Sequence, residues 1–69
     1  MNMNQQANLF GKDVTYLHEA MAMESLACKK FEQYQHQLSD AQQKNIANQI
    51  TQHHKENFNA LFNYFNSHQ

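Results

Sequence analysis

The chain contains no proline and only one glycine, Gly11, in 69 residues. An all-β fold needs turn residues at regular intervals, and a chain without them is left with long helices. The expected class is therefore all-α. Hydrophobic periodicity agrees. Val14, Leu17, Met21, Glu24, Cys28 and Phe31 recur at alternating steps of three and four, which places them on one face of a helix.

The helical pattern breaks at Gln37-Leu38-Ser39-Asp40. Ser39 followed three residues later by Gln42 reads as a capping box: the hydroxyl takes an orphan N–H at the helix start and the amide reaches back. Asp40 then falls in the first turn, where a carboxylate suits the positive end of the helix dipole. Asp13 is expected to cap the first helix. The organisation predicted is a flexible N-terminal segment over residues 1–12 and a hairpin over 13–69, with helix one at about 13–38 and helix two at about 40–66. Helix two carries Ile46, Ala47, Ile50, His53, His54, Phe58, Leu61, Tyr64 and Phe65 on one broad side. Asn and Gln dominate the other.

A short connection makes the two helices antiparallel. Counting outward from Ser39 sets Phe31 level with Ile46 or Ala47, Cys28 with Ile50, Glu24 with His53 or His54, Leu17 with Leu61, and Val14 with Tyr64. Two helices cannot cover all the apolar surface, because helix one has a second stripe, Tyr16, Ala20, Met23, Ala27 and Tyr34. A core this small rarely supplies more than about 3–5 kcal/mol without a staple. Cys28 is the only cysteine, so a disulfide within the chain is excluded. Cys28 reads as a small apolar packing residue. The economical solution is a homodimer, two antiparallel hairpins forming a two-fold symmetric four-helix bundle. Its interface is expected to draw on Met21, Met23, Ala27, Phe31, Ile50, Phe58 and Leu61.

Composition narrows the function classes. Net charge is −1, and Lys29-Lys30 is too small a basic cluster for nucleic acid. The N-terminus lacks the basic and apolar regions of a secretory signal. No apolar run approaches the ~20 residues of a membrane span. A cytoplasmic protein is expected, with no nucleic acid or membrane partner. More than a quarter of the residues are Asn or Gln. Such an exterior is polar but weakly charged, and repels neighbours less than a charged one when copies pack together.

Glu24 is the anomaly. It stands in the apolar run Ala20 to Cys28, where a carboxylate must find a partner, release its charge or reach water. With His53, His54 and Glu56 it forms the one constellation that could carry chemistry. Two carboxylates and two imidazoles brought together by dimerisation are a plausible ligand set for a divalent transition metal. A di-metal bundle further needs Glu-x-x-His, and here Ile50 stands where that Glu would precede His53. A di-iron centre is therefore not expected. A simpler metal site of Glu24 with His53 or His54 is the alternative. The plainer reading is a polar layer in which Glu24 bonds a level histidine and fixes register. His18, His36 and His68 read as solvated or helix-end residues. No Ser-His-Asp set, phosphate loop or CxxC is present, and no enzymatic activity is expected.

Over roughly residues 9–66 the chain resembles the small ferritin-like, CotF-type spore coat proteins of endospore-forming Firmicutes. The resemblance is carried by Met23 to Phe31 with Tyr34, by Asp40 at the hairpin, by Gln49-Ile50 followed by His53-His54, and by Phe58, Leu61 and Tyr64-Phe65-Asn66. Asp40-Ala41 stands where such proteins often have Asp-Pro. The resemblance implies a ferritin-like helical hairpin, a structural role in the spore coat, and other coat proteins as partners. It implies no catalytic residues.

Overall fold

The computed structural model describes residues 11–67. They form two helices of 27 residues each, α1 (Gly11–Gln37) and α2 (Ala41–Ser67). The helices pack against each other as an antiparallel hairpin across Leu38-Ser39-Asp40. At 1.5 Å per residue each is about 40 Å long. Gly11 and Lys12, expected in the flexible segment, already belong to α1. Residues 1–10 and His68 lie outside the described residues. Gly11 opens the helix at φ +38°, a conformation a residue without a Cβ enters at little cost. Asp13 lies in the first turn instead of at the cap.

The start of α2 corrects the expected capping box. Asp40, not Ser39, is the N-cap: the Gln43 N–H donates to Asp40 Oδ2 at 2.9 Å, and the Lys44 N–H donates to the Asp40 carbonyl at 2.9 Å. Ser39 and Asp40 both precede a glutamine by three residues, so the pattern fits either. Two features favour Asp40. A carboxylate accepts a stronger hydrogen bond from a backbone N–H than a hydroxyl does. In addition, the Leu38 N–H still bonds the Tyr34 carbonyl at 2.9 Å, so α1 holds the chain up to Leu38 and leaves Asp40 to begin the next helix.

The predicted α1 stripe faces α2 and runs further than its apolar members. Val14, Leu17, Met21, Glu24, Cys28 and Phe31 are half-buried, and Gln35 and Leu38 continue the same alternation. Facing them on α2 are Ala47, Thr51, His54, Phe58, Leu61 and Phe65, also spaced by threes and fours. These facing stripes form the seam of the antiparallel hairpin. His18 and Phe65 set their ring centroids 5.0 Å apart, and Phe31 and His54 stack at 5.9 Å.

The register departs from simple counting. Glu24 does meet His54, but Phe31 also reaches His54, and Cys28 shares a groove with His54 and Phe58 instead of standing opposite Ile50. Side chains lean toward the N-terminus of their own helix. In an antiparallel pair the lean carries α1 tips away from the turn and α2 tips toward it. Contacts made by long side chains accordingly fall beyond the equidistant residue, as His18 with Phe65, Phe31 with His54 and Gln35 with Thr51 do, while Glu24 meets His54 at the equidistant position itself.

The hairpin has two unlike sides. Tyr34 lines one groove with Ile46 and Ile50, and Tyr16 lines another with Leu17 and Tyr64, so the second stripe of α1 and the Ile46 edge of α2 share a side. Across the seam lie Lys29, Glu32, Asn48, Gln52, Lys55 and Asn59. There Lys55 Nζ pairs with Glu32 Oε2 at 3.5 Å. Among the described residues only Ala47 and Thr51 are buried, at 4% and 1% exposure.

Candidate functional site

The polar residues of the seam form two layers. In the first, the midpoint of α1 places Glu24 against the midpoint of α2. His54 Nδ1 donates to Glu24 Oε1 at 2.5 Å, and Asn57 Nδ2 donates to Glu24 Oε2 at 3.5 Å. Both carboxylate oxygens are thus engaged from α2. The pair is half-buried, with side-chain exposures of 26% for His54 and 24% for Glu24. An unpaired carboxylate at this depth would lose part of its hydration without compensation, and the imidazole supplies the missing donor. Phe31 stacks on the His54 ring and closes one flank.

The second layer lies nearer the hairpin, one helical turn from His54 along α2 and about three turns from Glu24 along α1. Thr51 Oγ1 donates to the Ala47 carbonyl at 2.9 Å, and Gln35 Nε2 donates to Thr51 Oγ1 at 3.2 Å. The first bond satisfies the hydroxyl within its own helix, and the second ties α1 to it. A small side chain in this position lets the helices approach closely, which accounts for the burial of Thr51 and its neighbour Ala47.

Of the residues singled out from sequence, the structure brings together Glu24 and His54. His53 and Glu56 are exposed. Among the described residues no group of three or more His, Cys, Asp or Glu is placed to hold a metal. Of the anticipated interface residues, Met21, Phe31, Phe58 and Leu61 line the seam half-buried. Ala27 and Ile50 lie at its edge, also half-buried, and Met23 is 70% exposed. Sequence reasoning missed Thr51, Gln35 and Asn57. The first two were legible as positions, since Gln35 lies four residues after Phe31 and Thr51 four after Ala47 in the same phase. Asn57 offered no such signal.

Beside the Glu24–His54 pair lies an open groove of about 370 Å³ flanked by Cys28, Lys29, Lys55 and Phe58. Its outer wall is long, solvated side chains, so it offers a substrate little enclosure. No helix among the described residues is long and apolar enough to cross a membrane. No family model matches the chain, and neither a curated protein nor a solved structure matches it.

Proposed function

We propose that this protein is a non-enzymatic structural subunit whose hairpin associates with a second copy, as half of a four-helix bundle, and packs into a larger proteinaceous layer. The observation that carries the reading is the exposure of large apolar side chains, five of seven of them on one side of the hairpin and Leu26 and Phe62 elsewhere. Tyr16 (61%), Met23 (70%), Tyr34 (41%), Ile46 (47%) and Tyr64 (49%) lie on the same side of the hairpin. With only an alanine and a threonine buried, the isolated hairpin has too little core to be independently stable. Covering the apolar side contributes about 25 cal/mol per Å². The resemblance of Met23 to Phe31 and of the Phe58 to Asn66 segment to spore coat proteins supports the spore coat as that layer.

Sedimentation equilibrium tests the first part: a dimer is expected, and a monomer at about 100 μM would overturn it. A fluorescent fusion expressed in the sporulating source cell tests the second. A ring around the forespore is expected, and a diffuse cytoplasmic signal would count against the coat.

The convergence of Glu24 and His54 supports a second reading, a divalent-metal site completed by the symmetry-related pair. Under it, zinc raises the melting temperature of the wild type and leaves Glu24→Ala unchanged. Equal responses of both proteins would remove it.

A further inference from the structure

We infer that the two copies meet α1 against α1, antiparallel, about a two-fold axis at the level of Ser25, and that Glu19 and Lys30 select this arrangement by pairing across it. The inference rests on the self-association proposed above and specifies its geometry.

The exposed stripe of α1 has the same form read in either direction. About Ser25, Tyr16 comes level with Tyr34 of the partner subunit and Met23 with Ala27 of the partner subunit. Large side chains thus stand at both ends, and a large one meets a small one near the axis. A two-fold interface requires such self-complementarity, since each patch meets a copy of itself. Large side chains carry about 200 Å² each. Five of them, 41–70% exposed, therefore present on the order of 500 Å². Ala20, Ala27 and Ile50 bring the face toward the ~800 Å² per partner of a standard specific interface.

Charge chooses between the two ways of laying one apolar side on another. Glu19 lies three residues after Tyr16 and four before Met23, and Lys30 lies three after Ala27 and four before Tyr34. Both are therefore nearest neighbours of the stripe on its rim. Both are exposed. They are eleven residues apart, about 16 Å along the helix, and cannot pair within one chain. With α1 against α1, Glu19 falls within one residue of the level of Lys30 of the partner subunit, and symmetry makes the pair twice. With α1 against α2, Glu19 falls near Ala60 to Asn63 and meets no lysine, and Lys30 falls near Asn48 to Gln52, a turn short of Glu56.

Charge exchange with sedimentation equilibrium at low salt tests this, with circular dichroism confirming that each variant keeps its helix content. Glu19→Lys alone and Lys30→Glu alone each place like charges opposite one another twice and are expected to weaken the dimer about tenfold. The double variant Glu19→Lys/Lys30→Glu restores the pairs and should return to within about twofold of wild type. An equimolar mixture of the two single variants should form a heterodimer as tight as wild type. A wild-type dimer in which the double variant is as weak as the singles or weaker overturns the α1–α1 arrangement and leaves self-association standing. A monomeric wild type overturns both.

Discussion

His54 Nδ1 donates to the Glu24 carboxylate at 2.5 Å where α1 and α2 face each other at their midpoints. This bond joins residues thirty positions apart in sequence and gives the middle of the seam a polar layer that matches in only one register. A slip of one helical turn would leave the carboxylate against Phe58 or Thr51. That energetic contrast, more than any net stabilisation, is what such a pair supplies.

Glu24→Ala removes the acceptor for His54 and Asn57 and should destabilise the fold by about 1–2 kcal/mol in urea titrations, since the bonds are charge-assisted but partly exposed. Glu24→Leu is expected to behave differently. It should melt at or above the wild-type temperature while the assembly loses its single stoichiometry, because an apolar layer tolerates several registers. A Leu variant with one sharp oligomeric state would show that the polar layer does not specify register.

Capping separates the two candidate residues cleanly. Asp40→Ala should cost about 1 kcal/mol by denaturant unfolding, because it removes the acceptor of the Gln43 N–H. Ser39→Ala should stay within about 0.3 kcal/mol of wild type, well below the cost of losing a cap. The reverse order would return the cap to Ser39.

Thr51 is the least exposed residue described, at 1%. Thr51→Leu overfills the most buried position of the seam and breaks the bond from Gln35, and should lower stability by about 1–3 kcal/mol. Gln52→Leu, one position along and exposed, provides the control and should change little. Similar melting temperatures for the two variants would show that Thr51 is not tightly enclosed between the helices.

Met23 makes the opposite prediction, because its side chain is 70% exposed. Within one hairpin, Met23→Asp should be worth no more than about 0.5 kcal/mol. If the apolar side is covered by a second copy, the wild-type melting temperature rises with protein concentration. In Met23→Asp that dependence disappears and the protein sediments as a monomer. A concentration-independent wild-type melt, unaltered by the substitution, would contradict the dimer.

How much of this was legible beforehand differs residue by residue. Val14 to Phe31 show the helix face directly, because threes and fours are the period of an α-helix and carry no tertiary information. The missing prolines and glycines exclude turns as plainly. The cap was legible only as a choice between Ser39 and Asp40, since either begins the same pattern and the hold of α1 on Leu38 decides between them. His53 and His54 posed a similar choice. They differ by 100° around the helix, and either could face α1 until the seam was known.

The sequence by itself determined two long helices, their approximate ends, the face of α1 that is packed and the exceptional position of Glu24. Each follows from local periodicity and chain chemistry. Only the tertiary structure decided that His54 is the partner and His53 is not, that Asn57 takes the second carboxylate oxygen, and that Thr51 is the most buried position of the seam. It also gathered the apolar edges of both helices onto one side of the hairpin. These outcomes depend on how far each side chain leans along its helix and how the two helices rotate about their axes. Neither quantity is a property of one strand of sequence. Both arise when two faces pack.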